Sequence, residues 1–346
     1  MSAPPPTLSA ILVTRDHWST LSRALACLQR QTAAAQLEVV VVAPRAAHLG
    51  VPPEAAAGLH SLQLVEVDAI HNREQAGAAG VRAARAPYVV FVEDHVYAAP
   101  DWAAALSAAQ AGGWAAIGPL VLTANAGALP LACHLADYGH WCDPAQGGPV
   151  KLLSNSNTCY ERAALLALPG ALEDWLDDQP RLQAHLLAQG RRLLFEPRAQ
   201  LWHLNFSQWD AWVRLRLCCG WAFGAGRSRG WPVARRLLYV SAAPLIPLVN
   251  LRRLLALAGR SGVRGGARLL AALMALVLLE ALGELLGYFS SAAGAQAWLH
   301  EVEFDRPRFV SARDRQTLDA TVAGLLAAYR PAATSAMPTA AAPSVA

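Results

Sequence analysis

An α/β architecture, a mostly parallel sheet flanked by helices and followed by an apolar helical region, is the fold class that this 346-residue sequence predicts. Three observations carry the prediction. Residues 9–13, a helical recurrence of Leu21, Leu25 and Leu28, and residues 38–42 read as strand, helix and strand; a βαβ unit of about 35 residues closes right-handedly and makes its strands parallel. Tyr88-Val89-Val90-Phe91-Val92 is a run of β-branched and aromatic residues too short for a helix, as expected of a buried strand. From Trp209 onward tryptophans alternate with arginines, and long apolar runs replace the strand pattern.

The remaining elements follow in order. A loop over 44–58 leads to a third strand at 62–67, and a small-residue helix over 77–86 leads into the central strand at 88. A further short strand is expected at 115–119. The stretch 122–151 lacks periodicity but carries Asn125, His134, Tyr138, His140, Trp141 and a Gly147-Gly148-Pro149 turn. Such a stretch either lines a site or makes a surface excursion. Residues 154–160 return to the core before a helix over 161–168. Leu182, Leu186 and Leu187 mark an amphipathic helix that closes at Gly190. Residues 192–197 read as a strand, and 201–205 as an edge strand bearing His203. The expected division is a lead-in at 1–7, an α/β domain over 8–210, a helical region over 211–330 and a disordered Ala/Pro/Ser/Thr tail over 331–346. Residues 304–308 are expected to end the ordered part, with a short helix over 318–329 after it.

Composition narrows the partners. Apolar residues make up 54 % of the chain, charged residues only 16 %, and the net charge is +4. Lys151 is the only lysine among 29 basic residues, and many arginines fall between Arg214 and Arg268, beside the most apolar sequence. Basic and oily together point to an anionic membrane surface rather than to nucleic acid. Six cysteines without a CxxC pair and without a signal peptide before them are expected to be reduced thiols in a cytosolic setting.

The chemistry concentrates in two places. Glu93-Asp94-His95 directly follows the central strand. In an open α/β sheet ligands bind beyond the carboxyl ends of strands, where carboxylates can grip a hard divalent cation and the cation can clamp a diphosphate. An ordinary solvated strand end has the same look. Four carboxylates, Glu173, Asp174, Asp177 and Asp178, then cluster before the helix that ends at Gly190. Capping and the helix dipole alone would also place acids there, and a single His such as His203 is often structural.

The order of these pieces resembles the inverting family 2 glycosyltransferases of GT-A fold. Val13-Thr14-Arg15-Asp16-His17, then Leu21, then Gln31-Thr32 match the family's opening strand and helix. Glu93-Asp94-His95 falls on its Asp-x-Asp, Asp178 with Asp177 beside it on its acidic catalytic-base motif, and Phe195-Glu196-Pro197 with His203 on its following strand and late His. The match spans roughly residues 8–210 and is narrower still toward a bacterial branch with Glu-Asp-His in that place. It implies a divalent cation (Mg²⁺ or Mn²⁺) on Glu93, Asp94 and His95, and a nucleotide-diphosphate sugar contacted by Thr14, Arg15, Asp16, Asp94, Asn157 and His203. It also implies Asp178 as general base in one inverting displacement. Tyr138, His140 and Trp141 would face sugar or acceptor, a glycan or a lipid. Two positions depart from the family. Its acid after the second strand is here Ala43-Pro44, and its Arg-Asn pair before the central strand is Gly77-Ala78.

Three readings of the last third compete: soluble helices, a monotopic platform on the cytoplasmic side of the membrane, or a hairpin in the bilayer. Residues 237–251 carry no charge but contain Pro244, Pro247 and Asn250, and 269–279 run into Glu280 and Glu284. Such carboxylates are costly in lipid unless an arginine partners them. For the whole chain the alternatives to a transferase are an inactive member that senses nucleotide-sugar or assists assembly, and a nucleotidyltransferase. The last is disfavoured by the lack of an N-terminal Gly-rich phosphate loop.

Overall fold

The computed structural model describes residues 4–15, 18–45, 48–263 and 265–328; Asp16 and the tail over 331–346 lie outside them. The chain opens with β1 (Leu8–Val13), α1 (Trp18–Gln29), β2 (Leu37–Ala43), β3 (Ser61–Glu66), α2 (Arg73–Ala83) and β4 (Tyr88–Phe91). Then come β5 (Val96–Ala98), α3 (Trp102–Gln110), β6 (Ala116–Thr123), α4 (Ala128–Tyr138), β7 (Gly148–Val150) and β8 (Cys159–Glu161). The α/β part ends with α5 (Arg162–Leu166), α6 (Leu172–Asp177), α7 (Gln179–Ala188) and β9 (Leu193–His203).

These strands form one sheet in the order β3-β2-β1-β4-β8-β6-β9-β5, with β7 paired to β9 off that path. Pairing is parallel from β3 to β4 and between β6 and β9, while β8 and β5 run antiparallel to their neighbours. Side-chain alternation divides the core into two layers. Leu8, Ala10 and Leu12 join α1 and α3 on one face, whereas Ile11 and Val13 pack under α2, α6 and α7 on the other.

Three expectations need correction. The stretch 122–151 contains an eleven-residue helix, α4. Gly127 precedes the helix and Pro130 lies in its first turn, where no amide partner is lost. Residues 192–197 and 201–205 belong to the single strand β9, whose register against β6 jumps at a bulge, from Pro119 opposite Glu196 to Leu120 opposite Gln200. Its end is not an edge either, because β5 pairs outside it, Val96 opposite His203. Order also continues past residue 308, into a 3₁₀ turn (Arg306–Phe309) and a long α13 (Ala312–Ala328) that returns to α1 through the Arg23–Asp319 ion pair.

Between these, α8 (Trp209–Arg227), α9 (Val233–Ser241), α10 (Leu245–Arg260), α11 (Gly266–Phe289) and α12 (Ala293–Val302) form the helical region. Gly220 and Gly224 on α8 and Gly283 and Gly287 on α11 bring the two backbones into contact, so that a Cβ at any of them would run into a partner carbonyl. Glu280 and Glu284 do have arginine partners: Arg216 bonds Asp137 at 2.9 Å and Glu280 at 3.2 Å, and Arg227 bonds Glu284 at 2.9 Å. Apolar residues of α4, α8, α10 and α11 share one core, so the change of composition at 210 is not a gap in packing. Of the described helices only α11 is by itself long and apolar enough to cross a membrane, with 44 % of its apolar window buried in the protein; α9 and α10 qualify only as a pair, bent by 63°.

Candidate functional site

β1 has β2 and β3 on one side and β4 on the other. The crevice beyond the carboxyl ends of β1 and β4 is therefore a topological switch point, where connections leave in opposite directions and a ligand can enter. A narrow pocket opens there, lined by Val13, Arg73, Phe91, Glu93, Asn155, Asn157, Leu176 and Gln179 among others. Its free space is about 20 Å³, enough for roughly one water molecule.

The surrounding side chains form a buried ionic cluster. Asn72 caps α2 by accepting from the Gln75 amide at 3.1 Å, which sets Arg73 in the first helical turn beside Glu93. Arg73 Nη1 lies 2.8 Å from Glu93 Oε1. The other oxygen of Glu93 accepts from Asn157 Nδ2 at 2.6 Å. Asn157 holds a left-handed φ of 62°, alone among the described non-glycine residues; asparagine tolerates this conformation better than most, and such positions recur at functional sites. Burial opposes the charge of Glu93, but the Arg73 guanidinium beside it outweighs burial and holds the carboxyl well below its usual range.

His95, in the turn before β5, and His203, at the end of β9, face Glu93 with their rings 4.9 Å apart. Each has Nδ1 engaged, His95 with Asp94 at 2.8 Å and His203 with Asn205 at 3.0 Å. Nε2 of His203 lies 3.7 Å from Glu93, and Nε2 of His95 lies between Glu93 at 3.8 Å and Glu303 at 3.7 Å, a buried polar atom with no hydrogen-bond partner. Burial pushes the His95 imidazole well down and His203 to about 4, so both stay neutral near pH 7. Neutral imidazoles with Nδ1 fixed by a carboxylate or amide are metal-ligand material. Ligand atoms of Glu93, His95 and His203 all lie within 4.8 Å of one another, the one such group among the described residues. Bonds of about 2.1 Å hold ligand atoms at most about 4.2 Å apart, so a slight contraction would enclose an ion. Two imidazoles and one carboxylate fit Mn²⁺ or a similar first-row ion better than oxygen-seeking Mg²⁺.

The expected metal trio is thus only partly assembled. Asp94 turns away from the cluster's centre and orients His95, because consecutive residues leaving a strand point in different directions; burial raises its carboxyl well above the usual range. His203 takes the third place. Thr14 is buried, its amide donating to Val42 O at 3.0 Å. Arg15 donates from Nε to Ile70 O at 3.1 Å and pairs with Glu301 at 2.5 Å. It borders a separate groove of about 550 Å³ with Pro44, Arg45, Val67 and Asp68, at the ends of β1, β2 and β3. Asp177 and Asp178 are exposed on the turn between α6 and α7, bracketed by the pocket residues Leu176 and Gln179. Asp177 accepts from Asn72 Nδ2 at 2.5 Å, and Asp178 caps α7 by accepting from the Arg181 amide at 3.2 Å. Tyr138 is buried 4.8 Å from the His203 ring, whereas His140 meets Arg253 of α10.

Three site residues escaped the sequence reading: Arg73, Glu303 and Arg306. Arg73 had a signal. It stands one helical turn before Gly77, where the resembled family carries arginine, and Gly77 has no room for a side chain because a Cβ there would meet the Phe91 ring. Glu303 and Arg306 lie at the stretch expected only to end the ordered part. Arg306 is buried over the Phe206 ring at 4.4 Å and donates to Glu303 Oε1 at 2.6 Å, while Glu303 Oε2 lies 3.8 Å from Arg73 Nη1.

Comparison with family models and with curated proteins finds no match. Among solved structures the chain is similar to S. aureus TarS, at 16 % identity over 60 % of this chain and 38 % of that one, with a TM-score of 0.43. It is likewise similar to TarS 1-349 in complex with UDP-GlcNAc, at 15 % identity over 57 % and 58 % of the two chains (TM-score 0.44). For TarS 1-349 in complex with UDP the values are 13 %, 85 % and 92 % (TM-score 0.44). The chain thus spans well under half of the first of these.

Proposed function

We propose that the protein is an inverting glycosyltransferase that takes a sugar from a nucleotide-diphosphate donor. The observation that carries the reading is the Glu93/His95/His203 cluster at the sheet's switch point, where Glu93 lines a pocket together with Leu176 and Gln179, the residues that flank Asp177 and Asp178. Asp178 would accept the proton of the attacking hydroxyl, with Asp177 beside it tied to the cap of α2. Glu93, His95 and His203 would hold a divalent cation, which when bound neutralises charge on a leaving diphosphate. Asp94 would keep His95 in the tautomer that leaves Nε2 free. Thr14, Arg15 and Asp16 would border the nucleoside, and Asn157 would position Glu93. Calorimetric titration of UDP, GDP and dTDP, each with Mn²⁺, Mg²⁺ or EDTA, tests this. Tight binding of one nucleotide, lost with EDTA, is expected; no binding under any condition would refute it. A second reading, a non-catalytic nucleotide-sugar sensor or assembly partner, is favoured by Arg73, which already supplies Glu93 with a positive charge. Metal-independent binding without turnover would select it.

The helical region would bring this site to the cytoplasmic face of a membrane and to a lipid-linked or polysaccharide acceptor. Between Asp210 and Glu280 the sequence carries eleven arginines and no acidic residue, so with +4 for the whole chain everything outside that stretch sums to −7. Val233, Leu237, Leu238, Leu245, Leu248 and Val249 on α9 and α10 are 55 to 68 % exposed, and Leu270, Met274, Leu278, Leu282 and Phe289 form an outward apolar stripe on α11. Apolar faces among arginines suit an anionic interface. Co-sedimentation with phosphatidylglycerol vesicles but not with phosphatidylcholine vesicles is expected, and Leu238→Glu with Leu248→Glu should abolish it. Equal recovery with both lipids, or with neither, would refute the assignment.

A further inference from the structure

We propose that Arg73 and Arg306 form the seat for the donor's diphosphate and that the Glu303 carboxylate occupies this seat in the unliganded chain. The inference rests on the nucleotide-sugar reading and adds to it the groups that bind the leaving diphosphate and the group it must displace.

Two buried guanidiniums converge on one carboxylate that does not satisfy them. The Arg306 side chain is 7 % exposed and that of Arg73 11 %. Arg306 gives one good hydrogen bond to Glu303, yet its Nε has no partner. Nη1 of Arg73 approaches Glu93 Oε1 at 2.8 Å but lacks a properly aligned acceptor, and Glu303 Oε2 stays 3.8 Å away. Glu74, at the rim, takes Nη2 of Arg73 at 2.8 Å. Each buried donor left over in this way calls for an explanation. A diphosphate, with more acceptor oxygens spread over a wider span, would engage both arginines in charge-assisted bonds that a carboxylate is too small to make at once.

Displacement is required by position. Glu303 stands between the two guanidiniums, 2.6 Å from Arg306 and 3.8 Å from Arg73, so a diphosphate that reaches both must take its place. Glu93 is anchored by Asn157 and Arg73 and is 4 % exposed, whereas Glu303 is 24 % exposed and sits just past the end of α12. The segment around it is held by the exposed Arg15–Glu301 pair and by Arg15 over the Phe304 ring at 4.1 Å. Exposed ion pairs hold weakly, so this segment can shift, and the Arg306 guanidinium that Glu303 would release passes to the incoming diphosphate.

The test is calorimetric titration of UDP and of inorganic pyrophosphate, in Mn²⁺, into the full chain and its Glu303→Gln and Arg306→Gln variants, with thermal melts of each. Removing the internal anion should tighten both ligands about tenfold, the scale of one hydrogen bond to a charged group. Arg306→Gln should weaken both by at least as much. Wild-type binding with Glu303→Gln unchanged or weaker would overturn the inference and leave the function standing. A fall in melting temperature of Glu303→Gln without tighter binding would make Glu303 structural and overturn it too. No binding by any of the proteins would overturn the function and the inference together.

Discussion

Substitution of Asp178 separates catalysis from folding, because its structural duty is one that asparagine performs equally well. Asp178 caps α7 through a single oxygen that accepts from the Arg181 amide at 3.2 Å. Asparagine presents the same oxygen and ranks beside aspartate as a cap, whereas alanine costs about 1 kcal/mol. Asp178→Asn should therefore melt with the parent, and Asp178→Ala roughly 2 °C lower for a chain of this size. Catalysis should behave in the opposite way. A positioned general base contributes about 10²- to 10⁴-fold, equal to roughly 3 to 5 kcal/mol of barrier, and an amide cannot take the proton. Both variants should lose turnover to that extent while binding UDP like the parent. The measurements are UDP release from the donor that the nucleotide screen identifies, UDP affinity by calorimetry and thermal melts. Near-normal turnover by Asp178→Asn would refute the assignment. If Asp177→Asn were inactive instead, the base would be the carboxylate bonded to Asn72, and if both variants turned over the acidic turn would be a helix cap and nothing more.

Two further outcomes follow from the packing. Burial, and then the neighbouring His203, pushes the His134 imidazole down to about 3; the unfolded chain binds this proton from about pH 6.5 downward, so stability is lost as pH falls. Urea unfolding should show about 2 kcal/mol less stability at pH 5 than at pH 7 from this group alone, a difference that His134→Gln should remove; an unchanged pH slope in that variant would refute it. Gly283→Val places a Cβ against the Leu217 carbonyl and should cost about 1–3 kcal/mol or more by forcing α8 and α11 apart; an unaltered melting temperature would show that the helices do not meet as closely as described.

What could be read in the sequence is what local composition decides. β1, β2 and β4 are buried along most of their length and rich in β-branched residues, so their hydrophobic runs announced them. The helix α4 was hidden because its stretch shows no clear apolar period, its buried face including His134 and Tyr138 beside apolar residues. At the site, Glu93 and His95 were found by their place at a strand end, and His203 was found only through the resemblance. Asp94 was included with the ligands because adjacency in sequence suggests adjacency in space; at the end of a strand successive side chains diverge, and Asp94 meets His95 from the far side. Arg73 was signalled only by its place one turn before Gly77, and Glu303 and Arg306 were not legible because they depend on pairings that only the folded chain creates, Glu303 with Arg73 across more than two hundred residues.

Those long-range pairings bear on what the helical region is for. A mere anchor would leave the site complete without it. Here Glu301, Glu303, Phe304 and Arg306 close over the ends of β1, α2 and β4, and α13 returns to α1 through Asp319. The α12 helix that carries Glu301 packs on α8, the same helix whose glycines seat α11 and its outward apolar stripe. One continuous set of packed helices therefore joins the basic, apolar face to the carboxylate that stands between the two arginines. An enzyme that meets its donor in solution and its acceptor at a lipid surface needs both events at one site. In this chain the residues proposed to close over the donor belong to the same helical body as the face proposed to meet the acceptor's membrane.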